Sequence, residues 1–172
     1  MLKSNNELKM AVYPGSFDPF TNGHRDILNR ALAIFDRVII AVTANFEKEH
    51  LFSIDERKEI IKNSITGLDR VEIDSFDGLL VNFMKKKSTN VIIKGLRAVS
   101  DFEYELQMAL INRKLHPDFE TVFLMTSAKY VFLSSSRVKE IASLGGDVSC
   151  FVSPFANEAL KRKFGVGENN KS

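Results

Sequence analysis

Short apolar runs rich in β-branched residues alternate five times with stretches whose apolar positions recur at helical spacing. That rhythm restricts the fold more than any single residue does. Met10–Tyr13, Val38–Thr43, Arg70–Ile73, Asn90–Ile93 and Glu120–Met125 read as strands. Val38–Thr43 lacks polar alternation, as a parallel strand buried on both faces would. Arg25–Phe35 places Ile27, Leu28, Ala31, Leu32 and Phe35 on one helical face. Ser53-Ile54-Asp55-Glu56 is a capping box opening a helix to about Ile65, and Ser100-Asp101-Phe102-Glu103 offers another, opening a helix to about Leu115 that Pro117 ends. Leu79–Lys87, Ser135–Leu144 and the segment from Ser153-Pro154 to about Phe164 complete the helices. Gly95 is expected to stop the fourth strand, and Gly145 the helix begun at Ser135. The predicted fold is α/β, a Rossmann-like doubly wound sheet of five parallel strands with helices on both faces. Such sheets bind ligands beyond the carboxyl ends of their strands, near the point where strand order reverses.

The 172 residues amount to one ordinary domain, and no repeat or Pro/Gly-rich linker divides them. Residues 1–172 are read as a single domain, with 1–8 and 167–172 as loose polar tails. Lysine and arginine total 24 against 22 acidic residues, a net charge of +2, so neither a nucleic-acid nor a membrane-surface partner is expected. The short basic runs Lys85–Lys87 and Lys161–Lys163 read as solvated helix ends. Met1–Met10 lacks the apolar stretch of a secretion signal, and the run Val38–Val42 falls far short of the ~20 residues that span a bilayer. A lone Cys150 excludes an internal disulfide and suits the cytoplasm. His50 and His116 lack metal-ligand spacing, so no protein-held metal is expected.

Chemistry-bearing residues cluster just after strands. Between the first strand and first helix, Gly15 allows close backbone approach and Ser16 places a hydroxyl and an N–H at the strand end. Asn22-Gly23 then turns into a helix whose first turn carries His24, beside N–H groups suited to phosphate. Alone, such a histidine is as well read as a capping residue as a phosphate donor. Lys48 follows the second strand; alone it reads as a solvated loop lysine. After the fourth strand, Lys94 and Arg97 bracket Gly95-Leu96, and cations at a buried strand end call for an anion. After the fifth, Ser134-Ser135-Ser136 opens a helix; capping needs one hydroxyl, and the spare ones suit phosphate. The chain contains neither Gly-x4-Gly-Lys-Ser/Thr nor Gly-x-Gly-x-x-Gly, which removes the sequence support for kinase, GTPase and dehydrogenase readings.

Together these strings resemble a known family. Pro14-Gly15-Ser16-Phe17-Asp18-Pro19, followed by Thr21-Asn22-Gly23-His24, resembles the Thr/His-x-Gly-His signature of the nucleotidyltransferase superfamily, in the variant of the adenylyltransferases that act on phosphopantetheine. Lys94-Gly95-Leu96-Arg97 with Asp101-Phe102-Glu103-Tyr104-Glu105 resembles that family's Arg-Gly-Leu-Arg and Asp-Phe-Glu-Tyr-Glu, with Lys94 replacing the commoner Arg. Leu133-Ser134-Ser135-Ser136-Arg137-Val138-Lys139-Glu140 resembles its Ile-Ser-Ser-Ser/Thr-x-Val-Lys-Glu. The likeness runs from about Lys9 to Phe164.

The resemblance implies adenylyl transfer from ATP to 4′-phosphopantetheine, with Mg²⁺ accompanying the ATP and a homohexameric assembly. It implies catalytic roles for His24, Lys48 and Ser16. It implies ATP contacts at Ser16, Phe17, His24, Gly95, Leu96, Arg97, Glu105, Tyr130, Val131, Phe132, Leu133, Ser134, Ser135 and Ser136, and acceptor contacts at Ser16, Lys48, Leu80 and Lys94. The competing readings are a superfamily member acting on another phosphorylated acceptor, a fragment of an aminoacyl-tRNA synthetase, or a nucleotide-binding module without catalysis.

Overall fold

The computed structural model describes residues 8–44, 49–97 and 99–166. Its elements are β1 (Met10–Gly15), α1 (Asn22–Leu32), β2 (Arg37–Thr43), α2 (Ile54–Ser64), β3 (Val71–Phe76), α3 (Leu80–Lys86), β4 (Val91–Leu96), α4 (Val99–Leu115), β5 (Glu120–Met125), a 3-10 turn (Ala128–Tyr130), α5 (Ser135–Ser143) and α6 (Pro154–Phe164). The five strands form one parallel sheet in the order β3-β2-β1-β4-β5. The chain winds outward from β1 to β3, then returns to place β4 on the other side of β1. The reversal therefore falls between β1 and β4.

Alternating side chains feed two apolar layers. Tyr13, Val38, Ile40 and Val42 pack with Ile27, Leu28 and Ala31 of α1, Ile60 and Ile61 of α2, Val138 of α5 and Leu160 of α6. Val12, Ile39, Ala41 and Ile92 point the other way, to Val81, Phe83 and Met84 of α3. Phe102 of α4 meets Phe123 of β5 edge-on. Residues 38–42 are all buried, as an unalternating central strand requires. No helix among the described residues is long and apolar enough to cross a membrane.

Three strands run past their expected ends. β1 continues through Pro14 and Gly15, which pair with Ala41 and Val42. β4 continues through Gly95 to Leu96, so the glycine does not end it. The reason is packing: a Cβ on Gly95 would lie 2.9 Å from Ile27 Cγ1, so the missing side chain lets α1 rest on the strand. β3 runs on to Phe76, paired with Thr43. Among the helix starts, the Ser53–Glu56 box forms as expected, with Ser53 N–H donating to Glu56 Oε2 at 2.7 Å and Glu56 N–H to Ser53 Oγ at 3.2 Å. The helix expected from Ser100 begins at Val99, and Asp101 accepts from the Arg97 backbone N–H at 3.2 Å; the Ser100 side chain, on which the expected box depends, lies outside what the structure describes.

Candidate active site

A cavity of about 770 Å³ opens where the strand order reverses, at the carboxyl ends of the strands. Ser16, Phe17 and His24 reach it from the β1–α1 connection, Lys94, Gly95 and Arg97 from the end of β4, and Glu105 from α4. Leu133 and the three serines line it from the start of α5, and Leu80 from α3. Five segments thus share one space.

The β1–α1 connection is shaped around Gly15 and Phe17. Phe17 takes a φ of 50°, and its ring folds back under Gly15, where an added Cβ would come within 2.9 Å of it. The same ring meets Tyr13 and His24 edge-on, at centroid distances of 5.2 and 5.1 Å. Its side chain is core, so what Phe17 offers the cavity is mainly backbone.

His24 closes a capping box with Thr21. Thr21 N–H donates to His24 Nδ1 at 3.0 Å, while His24 N–H donates to Thr21 Oγ1 at 3.4 Å. A ring nitrogen that accepts from a backbone amide carries no proton, so the neutral ring must hold its proton on Nε2. Burial, and secondarily the nearby Arg97 charge, lowers the imidazole pKa to about 4. The ring therefore stays neutral through the physiological range and keeps one N–H to give. Capping and donation, alternatives in sequence, are compatible because they use opposite ring edges.

The two cations at the end of β4, Lys94 within it and Arg97 just after it, already have partners within the chain. Lys94 Nζ lies 3.0 Å from Glu105 Oε2. Arg97 binds Asp101 through Nε at 2.9 Å and Nη2 at 3.2 Å, and donates through Nη1 to the Leu133 carbonyl at 3.1 Å. The expectation that these charges require a bound anion is thus corrected: α4 supplies carboxylates. A ligand phosphate here would compete with, or join, ion pairs that exist without it.

The serine turn is likewise partly committed. Ser134 Oγ accepts the Arg137 N–H at 3.3 Å and caps α5, and Ser135 Oγ donates to the Pro19 carbonyl at 2.8 Å. Ser136 has no such tie among the described residues. Hydroxyls expected to be spare therefore serve in part to fasten α5 to the β1–α1 connection.

Some expected positions lie elsewhere. Leu96 is buried, pairs with Met125, and is not part of the lining. Tyr130, Val131 and Phe132 do not line the cavity either. Tyr130 ends the 3-10 turn, Val131 and Phe132 are exposed, and Phe132 meets Phe151 edge-on. These apolar residues adjoin the serines in sequence, but Tyr130 packs against the apolar core while Val131 and Phe132 face solvent. Lys48 falls outside the described residues.

A family model described as cytidylyltransferase-like matches residues 12–141. A phosphopantetheine adenylyltransferase of Dictyoglomus thermophilum is 54% identical over 156 residues, covering 91% of this chain and 95% of that protein. One from Caldanaerobacter subterraneus subsp. tengcongensis is 56% identical, covering 91% and 98%. The chain belongs to the phosphopantetheine adenylyltransferase family. The crystal structure of a Plasmodium falciparum nicotinic acid mononucleotide adenylyltransferase complexed with NaAD superposes with a TM-score of 0.67 at 15% identity, covering 93% of this chain and 97% of that one, which establishes the shared fold.

In this member of the phosphopantetheine adenylyltransferase family, sequence reading missed an ionic group at the cavity floor. Asp18 is 3% exposed and accepts from Leu51 N–H, Phe52 N–H and Lys139 Nζ at 3.0, 2.9 and 2.6 Å. Burial alone would raise its pKa, but the bonds from Lys139, Leu51 and Phe52 outweigh it and hold the carboxyl below its usual value. The signal was available: Asp18 and Lys139 stand inside two of the strings that carry the family likeness.

Proposed function

We propose that this chain transfers the adenylyl group of ATP to 4′-phosphopantetheine, forming dephospho-coenzyme A and pyrophosphate. The observation that carries the reading is the convergence of the β1 connection, the end of β4 and the serine turn on one cavity. An oxygen of the acceptor phosphate forms a bond to the α-phosphorus of ATP as the bond from that phosphorus to the bridging oxygen breaks. Pyrophosphate leaves with that electron pair. The acceptor oxygens are ionised at neutral pH, so no strong general base is required. Catalysis then consists of in-line positioning and stabilisation of charge.

The residues divide the work accordingly. His24 Nε2–H donates to an α-phosphate oxygen, where an N–H fixed in advance stabilises developing charge. Ser16 and Lys94 hold the acceptor phosphate and Lys48 keeps it in line, while Leu80 borders its pantetheine arm. Arg97, Gly95 and the α5 start, Ser134 to Ser136, hold the nucleotide. Glu105 sets the position of Lys94.

Mg²⁺ is proposed as a companion of ATP. Among the described residues no three histidine, cysteine or carboxylate groups come together to hold a metal, and both Asp18 oxygens are engaged. Phosphate oxygens and water would hold the ion, which supplies charge neutralisation on the triphosphate. A homohexamer and a cytoplasmic setting complete the proposal. Self-association is supported by α4, which leaves Leu110, Ile111 and Leu115 exposed. The test is pyrophosphate release from ATP with and without 4′-phosphopantetheine. Release that depends on the acceptor is expected; ATP binding without turnover would overturn the enzyme reading.

A further inference from the structure

We propose that Arg57, which does not line the cavity, is a positioning residue for adenylyl transfer. The inference rests on the function proposed above. Arg57 belongs to α2 and is only 2% exposed, the largest fully buried side chain among the described residues. Burying a guanidinium is costly unless its donors are satisfied. Here no carboxylate among the described residues lies within ion-pair distance of it. Its charge feels Asp18 only at longer range, and burial, the larger influence, lowers its pKa.

The donors go instead to backbone carbonyls. Nη1 bonds Ser16 O at 2.7 Å and Thr43 O at 3.1 Å, and Nε bonds Ser53 O at 3.3 Å. Ser16 follows the last residue of β1, Thr43 is the last residue of β2, and Ser53 caps α2. Thus one planar, always-charged group joins two strand ends and a helix start at the rim of the cavity. A lysine could not reproduce this, because its ammonium is a single point where the guanidinium is a fork. An apolar residue would leave the Ser16 and Thr43 carbonyls without that partner.

The consequence for chemistry comes through Ser16. Its carbonyl is held from behind by Arg57, which fixes the peptide plane and hence where the Ser16 side chain and the following N–H present themselves. Phe17 adds a positive φ at the next residue. Releasing the carbonyl would let this turn relax. A misplacement of about 1 Å in a reacting group can cost on the order of 100-fold in rate.

The experiment compares wild type, Arg57→Lys and Arg57→Met by steady-state kinetics well below each protein's melting temperature, with the folded fraction measured by circular dichroism. We expect kcat per folded enzyme to fall roughly 10- to 100-fold in both variants, with the KM for ATP changing less than about threefold. Methylguanidine should restore part of kcat in Arg57→Ala, which tests for the lost fork specifically. Folded variants with wild-type kcat would overturn the inference. So would losses that only track the unfolded fraction, or variants that do not fold at the assay temperature, since Arg57 would then serve stability alone. A wild-type protein without acceptor-dependent pyrophosphate release would instead sink the proposed function.

Discussion

Lys94 Nζ lies 3.0 Å from Glu105 Oε2, joining the end of β4 to α4 across the cavity wall. Both side chains are about one-fifth exposed, 22% and 21%, so the pair is shielded enough to matter and open enough for a ligand to reach. Lys94→Ala is expected to raise the KM for the phosphorylated acceptor, and Lys94→Arg to be tolerated because it keeps the charge facing Glu105. Glu105→Gln should alter acceptor KM more than ATP KM. A silent Lys94→Ala in steady-state assays would remove that lysine from the acceptor site.

His24→Ala should lower kcat by about 100-fold or more, as loss of a fixed donor to developing charge does. ATP affinity, measured by equilibrium titration, should change far less. An unchanged kcat would leave His24 with its capping role only.

The folded pKa of His24, about 4, lies below the ordinary value of 6.5. Between those two values the unfolded chain binds more protons than the folded one. Stability should therefore rise with pH across that window, by at most about 1.4 kcal/mol per unit, and the contribution is lost as pH falls. Thermal melts at pH 4.5 and 7, compared for wild type and His24→Gln, should show a smaller pH dependence in the variant. Equal dependence would show that the ring is not held neutral by the fold.

Gly95→Ala should destabilise the protein by roughly 1–3 kcal/mol, the usual cost of overpacking. The new methyl would meet Ile27 Cγ1 at 2.9 Å, and that atom lies close to the backbone of α1, where it has little room to yield. Because α1 also carries His24, kcat should fall as well. Combined with Ile27→Ala in the same chain, the loss measured by chemical denaturation should be smaller than the sum of the two single losses. Additive losses would contradict the contact.

Much of the fold was legible because its determinants are local. The unbroken apolar run 38–42 announced a central strand, and the Ser53 and Ser153 caps form where expected, Ser153 accepting from Ala156 N–H at 3.2 Å. Gly95 misled because local sequence cannot show which helix will press against a strand. The site was legible in its segments but less so in its details. Lys94 and Arg97 looked unpaired until α4 brought Glu105 and Asp101 to them. Nothing local to Arg57 reveals that its donors will find carbonyls 41 and 14 positions away. Tyr130 to Phe132 look like site residues because they adjoin the serines, yet beyond the tight turn Tyr130 packs on the core and Val131 and Phe132 are exposed.

The seam between β1 and β4 is narrow. Their pairing is confined to Val12 and Ile92, whereas β1 and β2 pair over six positions. Ile27 packs from α1 against the β4 side of that seam, where a Cβ on Gly95 would lie 2.9 Å from its Cγ1. The span between the Ser16 turn and the Lys94–Arg97 segment then depends on this packing as well as on strand-to-strand bonding. Changing the bulk of residue 27 would move the two groups of side chains relative to each other.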